Sequence, residues 1–395
     1  PAVVLVMCAA LSLIFVWAKR HAALRSLHGV ARRTSGTEYF PLAVFLVYLI
    51  AYDRYWLYVC ALLVLAVADA FAALIGSKYG RLRYEIEDES KSLEGSIIFL
   101  VIAFLVLHLP MLLMTDLPRV VCVLGALLVA VLVTGFEAVS MGGADNLFIP
   151  LGVAVILAKI TSKPVSEIVY QNASLAVLSL GIALVARRAR SFNAGGTILF
   201  ALFAYGAWSL GSEQWAIPIL IGFVVYTTAR MFFTSAQRER SRIRVRILFR
   251  ALVIPILLLV TGNMLRRGPE FFAPFVVSVA VVLAFGLWSH ILWMVHPSGA
   301  RRPVGLGLVA LAAWGVEIVP AWFLLPERAN GAALIVTAIV VLIASWLDDR
   351  WLGPAPSFEG DRSWPAPRIL ITAAAGVAIL LAQRFGLMTP WPYPH

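Results

Sequence analysis

Long apolar runs alternate with short polar segments along the whole chain, and this pattern predicts membrane-spanning helices. One span needs about 20 mostly apolar residues. Fourteen runs approach or reach that length, and the second and sixth of them are short. The predicted spans are 1–18, 39–53, 55–76, 94–110, 118–137, 146–160, 168–186, 195–212, 214–234, 248–265, 271–295, 303–324, 332–347 and 368–385. The sequence therefore predicts an all-α, polytopic integral membrane protein with about 14 transmembrane helices.

The basic residues fix a predicted orientation for these spans. If residue 1 starts outside, about three quarters of the 32 Lys and Arg fall in alternate loops on one side, as the positive-inside rule requires. The loops at 77–93 and 137–145 then share the cytoplasmic face, and the protein is expected in the cytoplasmic membrane, in contact with its lipids. Because the basic residues lie between apolar runs, the net charge of +11 does not indicate a nucleic-acid partner.

Composition excludes the other broad classes of protein. The chain has 395 residues, of which 61% are hydrophobic and 13% charged, whereas soluble domains are about one quarter charged. The three cysteines lie in apolar runs without metal-ligand spacing, so we expect them to be buried and inert. The chain begins at Pro1 inside an apolar run, and we expect an N-terminal piece to be missing.

Asp69 is a carboxylate deep inside the third predicted span. It precedes Gly76 by seven residues, about 10 Å along a helix, and a charge at that depth is expected to face the bundle interior with a partner. Residues 69, 72, 73, 76 and 80 share one helical face, and all but Asp69 are Ala or Gly. This face forms either a groove for a bulky ligand or a close contact with another helix.

A second group of residues follows Asp69 and is rich in glycine and cations. Lys91 and Ser92 stand where the next span begins, and Gly95 lies in its first turn. A helix start with free backbone N–H groups beside a cation is typical of a phosphate-binding site. The alternative is a solvated charged loop that only fixes orientation. The candidate nucleotide-binding residues are Gly76, Lys78, Gly80, Arg81, Lys91, Ser92, Gly95 and Ser96.

Oxygen-bearing side chains meet at the loop between the fifth and sixth spans. Glu137 ends one span, and Asp145 and Asn146 open the next on the same side of the membrane. Asp145 is also well placed to cap a helix. Facing Asp69 and Lys91, these groups match what a magnesium and phosphate site needs. The candidate catalytic residues are thus Asp69, Lys91, Glu137 and Asp145, and the candidate Mg²⁺ ligands are Asp69, Asp145 and Asn146.

Residues 32–160 resemble the phytol kinase and dolichol kinase family, membrane enzymes that phosphorylate long isoprenoid alcohols with a nucleoside triphosphate, typically CTP. The resemblance consists of five pieces in order: Ser35 to Leu42, Asp69 with Ala72 and Gly76, Gly80-Arg81, Lys91 to Ser96, and Glu137 with Asp145-Asn146 and Pro150-Leu151. It implies a cytoplasmic nucleotide site, Mg²⁺ as cofactor, and a nucleoside triphosphate (CTP favoured) and an isoprenoid alcohol as partners.

The resemblance divides the chain into a kinase-like domain, 1–165, and a second helical membrane domain of unknown role, 166–395. Residues 187–220 weakly resemble the phytyl-phosphate kinase-like membrane family. Three other functions remain open: a transporter, a cytidylyltransferase acting on a lipid phosphate, and a structural subunit on a kinase scaffold. Glu317 is a further intramembrane carboxylate, which is either part of a site or paired with an Arg or Trp of a neighbouring helix.

Overall fold

A computed structural model describes residues 2–20, 36–87, 89–233, 242–295, 301–323, 331–352 and 364–391. This part of the chain forms fourteen helices and one short hairpin. The helices are α1 (Ala2–Arg20), α2 (Gly36–Ile50), α3 (Tyr55–Tyr79), α4 (Leu93–Met114), α5 (Arg119–Val139), α6 (Asp145–Ile160), α7 (Val165–Ala189), α8 (Ala194–Gly211), α9 (Glu213–Phe233), α10 (Val245–Met264), α11 (Gly268–Val295), α12 (Arg301–Phe323), α13 (Gly331–Leu352) and α14 (Ala366–Arg384). The strands are β1 (Arg83–Ile86) and β2 (Glu89–Ser92).

Each predicted span coincides with one of these helices, so the predicted fold class is confirmed. Among the described residues, eleven helices are long and apolar enough to cross a membrane. The second and sixth spans are indeed short, at 15 residues for α2 and 16 for α6. The first apolar stretch, Val3–Phe15, is short as well. Residues 32–35, the first part of the segment that resembles the kinase family, lie outside the described residues.

The chain folds into two compact units, Pro1–Val177 and Leu178–His395. The boundary between them falls inside α7, whereas the predicted domains, 1–165 and 166–395, place it at the start of that helix. In the first unit α3 packs along α4, α4 along α5, and α2 along α6. Helices α3, α4 and α5 therefore pair with their sequence neighbours, whereas α2 and α6 pair across the three helices between them.

The loop predicted at 77–93 contains an antiparallel hairpin that the sequence analysis did not predict. Tyr84 pairs with Lys91, and Ile86 pairs with Glu89. Because side chains alternate along a strand and paired residues share a face, these four side chains lie on one face of the hairpin. Ile86 is fully buried, so this face is turned towards the protein. The hairpin thus aims Lys91 inward.

In the second unit α11 is the central helix, and α9, α10, α12 and α14 pack around it. One end is held by a buried ion pair in which Arg368 Nε donates to Asp348 at 2.7 Å, with both side chains 2% exposed. The neighbouring carboxylate of Asp349 accepts from Arg302 and from the indole of Trp288. The paired acids fix the ends of α12, α13 and α14 against α11.

Candidate functional site

A salt bridge joins the hairpin to the end of α5. Lys91 Nζ lies 2.9 Å from Glu137 Oε1 and also donates to the backbone carbonyl of Glu137. The two side chains are only 12% and 14% exposed, so water screens the pair little. These two contacts use two of the three N–H donors of the Lys91 ammonium group, so one donor remains for another partner.

Asp69 lies close to this pair, within electrostatic range of Asp145, Glu137 and Lys91. It directly follows a π-helical turn at Val64–Ala68. Turns of this kind occur frequently at functional sites because they rotate the following side chains relative to the helix. The predicted catalytic residues are spread over 77 positions of sequence. In the structure Lys91, Glu137 and Asp145 all lie within electrostatic range of Asp69.

The start of α6 is shaped by hydrogen bonds around Asp145. The hydroxyl of Ser140 accepts from the backbone N–H of Asp145 at 2.8 Å, and Asp145 Oδ1 accepts from the N–H of Asn146 at 3.0 Å. Gly142 and Gly143 have φ of 64° and 84°, a region that favours glycine and lets the loop turn tightly. The N-cap residue is Ala144, which makes no side-chain cap hydrogen bond, so Asp145 is the first residue of the helix and the expectation that it caps the helix is wrong.

The two predicted site loops contact each other directly. Besides the salt bridge, the backbone N–H of Gly142 donates to Glu89 Oε1 on the hairpin at 3.4 Å. The predicted approach of loops 77–93 and 137–145 is therefore found in the structure. Their cytoplasmic location stays a prediction.

The small residues of α3 form a helix contact. A Cβ on Gly95 would lie 3.2 Å from the carbonyl oxygen of Ala72 and 3.3 Å from Gly76 Cα. A Cβ on Gly80 would lie 2.5 Å from Ser92 Cβ. This face was predicted to form either a ligand groove or a close contact with another helix. Residues 72, 76 and 80 lie at a close contact, whereas Ala73 is exposed. A nucleotide-binding role for Gly76, Gly80, Gly95 and Ser92 stays a prediction.

The expectation of free N–H groups at the start of α4 is wrong for Leu93 and Gly95. Leu93 N–H donates to the carbonyl of Leu82 at 2.8 Å, and Gly95 N–H donates to the hydroxyl of Ser92 at 3.1 Å. Ser92 is the N-cap residue, and a cap uses the donors that a phosphate would need. The hydroxyl of Ser96 donates back to the carbonyl of Ser92.

Lys78 and Arg81 lie at the exposed end of this region. Lys78 Nζ stands 5.3 Å from the ring centre of Tyr79, and the backbone N–H of Arg81 donates to Glu94. Within the part of the chain that the structure describes, neither of these contacts links the side chain of Lys78 or Arg81 to Lys91 and its partners. Their predicted contact with nucleotide stays a prediction.

Tyr84 and Glu94 are two further residues that the sequence analysis did not single out. Glu94 accepts from the N–H groups of Arg81 and Leu82 at 3.0 and 3.1 Å, which fixes the link from α3 to the hairpin. The Tyr84 hydroxyl lies 2.7 Å from Ser96 Oγ. Burial raises the pKa of the Tyr84 phenol above its usual range, so it stays protonated. Only the period-two pattern of the hairpin could have indicated Tyr84.

A magnesium ion shared with a phosphate stays a prediction for these carboxylates. Within the described ranges, no three His, Cys, Asp or Glu side chains are grouped tightly enough to hold a metal by themselves. Mg²⁺ commonly uses one or two carboxylates, with waters and phosphate oxygens completing its shell. Asp69 and Asp145 supply two carboxylates, with Asn146 beside them, while Glu137 is neutralised by Lys91.

Fold and site together define a multi-pass helical membrane protein with a cation and several carboxylates gathered between two interhelical loops. Phytol kinase from Synechocystis sp. is 35% identical to this chain over 146 residues, which are 36% of this chain and 62% of the relative. The chain thus spans less than two thirds of that relative, and the predicted resemblance to phytol kinases is confirmed at this level. No family model matches, and no solved structure matches.

Proposed function

We propose that the first unit transfers the γ-phosphoryl group of a nucleoside triphosphate, CTP in preference, to the hydroxyl of an isoprenoid alcohol such as phytol. The observation that carries the proposal is the Lys91–Glu137 salt bridge, whose two members and Asp145 all lie within electrostatic range of Asp69. The named relative, a phytol kinase, supports the same chemistry.

In this reaction the alcohol oxygen attacks the γ-phosphorus, the bond from that phosphorus to the β-phosphate oxygen breaks, and the nucleoside diphosphate leaves. The alcohol proton goes to a carboxylate. The transferring group spreads its charge over its oxygens, so positioning and charge neutralisation supply most of the rate. Lys91 is the cation that binds those oxygens, and Glu137 orients it.

We assign the proton acceptor to Asp69. It belongs to a membrane-embedded helix, where the hydroxyl of a lipid alcohol arrives with its chain still in the hydrocarbon. Asp145 and Asn146 would hold Mg²⁺ together with Asp69. When bound, the ion neutralises charge on the triphosphate. The site faces the cytoplasm in this proposal, because the loop at 77–93 is rich in Lys and Arg and the loop at 137–145, two spans further on, lies on the same side.

The test is a labelling assay on the purified full chain in detergent, with Mg²⁺ and phytol. Label from γ-labelled CTP should appear in the lipid extract as a monophosphate. Label from α-labelled CTP should stay in the water phase, because the cytidylyl group is not transferred. Label in the lipid from the α position would assign a cytidylyltransferase instead. No labelled lipid with CTP, ATP, GTP or UTP, over phytol, farnesol and polyprenol, would overturn the proposal.

A further inference from the structure

The second unit contains a half-open cavity that the kinase proposal does not use. It has a volume of about 90 Å³ and lies among α8, α9, α10 and α11. Its wall is almost wholly apolar, and the polar side-chain groups of its lining residues are the hydroxyl of Tyr226 and the indole N–H of Trp364. Six aromatic side chains contribute to it: Phe192, Phe200, Phe203, Phe223, Tyr226 and Trp364. A lining of this kind suits hydrocarbon and excludes a strongly hydrated ligand.

Glu317 of α12 lies against the wall of this cavity. Its Oε1 approaches Gly222, a lining residue, so closely that a Cβ added there would be 2.6 Å away. The same Cβ would be 3.8 Å from Val279, another lining residue. Glu317 does not itself line the cavity, and the absence of a side chain at Gly222 lets its carboxyl group lie directly behind the cavity wall.

The carboxyl group of Glu317 is fully buried, and neither of its oxygens has a hydrogen-bond partner among the residues that the structure describes. The expected pairing with an Arg or Trp of a neighbouring helix is therefore not found in the part of the chain that the structure describes. A buried polar group without a partner is rare and costs free energy. An isolated ionised carboxylate costs much more, so the neutral acid is the form that this apolar site tolerates.

The requirements of the cavity and the carboxyl group together specify one ligand class. The cavity needs an apolar group, and the neutral carboxyl group needs one partner that both donates and accepts a hydrogen bond. A primary hydroxyl at the end of a hydrocarbon chain meets both. A cavity of about 150 Å³ holds a benzene ring. This cavity is smaller, so it has room for the hydroxyl end of a long molecule and not for the whole of it.

We propose that the second unit binds the hydroxyl end of a long-chain primary alcohol in this cavity, with Glu317 as its hydrogen-bond partner. The inference does not rest on the proposed function, because the cavity and Glu317 lie wholly in the second unit. Binding at this site and kinase activity are measured separately, so either can fail without the other.

The experiment uses the full chain in detergent and a photoreactive probe, a long-chain primary alcohol that carries a diazirine near its hydroxyl. After irradiation, labelled peptides are mapped by mass spectrometry. Label is expected on the lining segments of α9, α10 and α11. Unlabelled farnesol should compete, and farnesyl methyl ether, which cannot donate a hydrogen bond, should compete at least about tenfold less well.

Two substitutions of Glu317 separate hydrogen bonding from charge. Glu317→Gln keeps a donor and an acceptor, and should retain labelling within about threefold of the parent. Glu317→Leu removes both, and should lower it at least about tenfold. Glu270→Leu, on the exposed start of α11, is the matched control and should leave labelling unchanged. Both Glu317 variants should fold, since each removes a buried unpaired acid.

A fourth variant, Ala251→Leu, adds bulk to the cavity wall and should also reduce labelling, whatever happens at Glu317. Label outside the lining segments, equal labelling in Glu317→Leu, or equal competition by the ether would overturn the proposal. So would a loss in Glu317→Gln as large as in Glu317→Leu, because that result indicates recognition of a cation by the ionised form.

Discussion

The salt bridge between Lys91 and Glu137 gives the sharpest prediction, because it links the structure of the site to its chemistry. The perturbation is Glu137→Gln, which removes the charge and keeps the size of the side chain. At 2.9 Å the Coulomb attraction is roughly 6 kcal/mol for an effective dielectric constant of about 20, before the cost of desolvation.

The net contribution is much smaller. Exposed pairs contribute about 0–1 kcal/mol, and breaking a fully buried pair costs about 3–5 kcal/mol. With side chains 12% and 14% exposed, this pair lies between those limits. We expect Glu137→Gln to lower the free energy of unfolding by about 2 kcal/mol, and the melting temperature by roughly 4–8 °C.

The rate of lipid phosphorylation should fall by at least about tenfold in Glu137→Gln, because the ammonium group loses its orienting partner. Lys91→Met should lower it at least about 100-fold. If Glu137 acts through Lys91, the double variant should be no slower than Lys91→Met alone, since a group cannot be oriented once it is removed.

The matched control is the pair of Lys163 and Glu167, which are four residues apart and whose side chains are 33% and 36% exposed. Glu167→Gln should change stability by about 0.2–0.5 kcal/mol and leave the rate unchanged. The reasoning is refuted if Glu137→Gln keeps the parental melting temperature and rate. It is also refuted if the losses of the two single variants multiply in the double variant, because Glu137 then acts independently of Lys91.

Three further predictions test the site, the membrane side of its loops and the packing of α4 against α3. Asp69→Asn should lower turnover at least about 100-fold while the melting temperature changes little, and an active variant would remove Asp69 from the proton-accepting role. Single cysteines at Glu85 and Gly142, in a chain without native cysteines, should react with an impermeant thiol reagent from the cytoplasmic side alone; labelling from opposite sides contradicts the shared face. Gly95→Ala should lower stability by about 1–3 kcal/mol because its Cβ meets the backbone of α3. Gly181→Ala, whose Cβ meets nothing within 4 Å, should be neutral or stabilising in the same thermal assay.

The spans could be predicted from the sequence because their determinant is local. A run of apolar residues must satisfy its backbone hydrogen bonds internally in a membrane, and a helix does so. This is why α2 and α6 could be recognised, and recognised as short, without any tertiary information. Asp69 stood out for the same reason, as a charge in an apolar run.

Tertiary structure decided which partners these residues have. No local rule pairs Lys91 with Glu137 across 46 positions, since the pairing depends on how α4 and α5 pack and on the hairpin that aims Lys91 inward. The small residues of α3 were equally ambiguous in sequence, because a groove and a helix contact both favour Ala and Gly. Only the measured approach of Gly95 to Ala72 assigns part of that face to packing. Composition fixes what each segment can bury, whereas the contacts between segments fix which groups meet and what chemistry they can support.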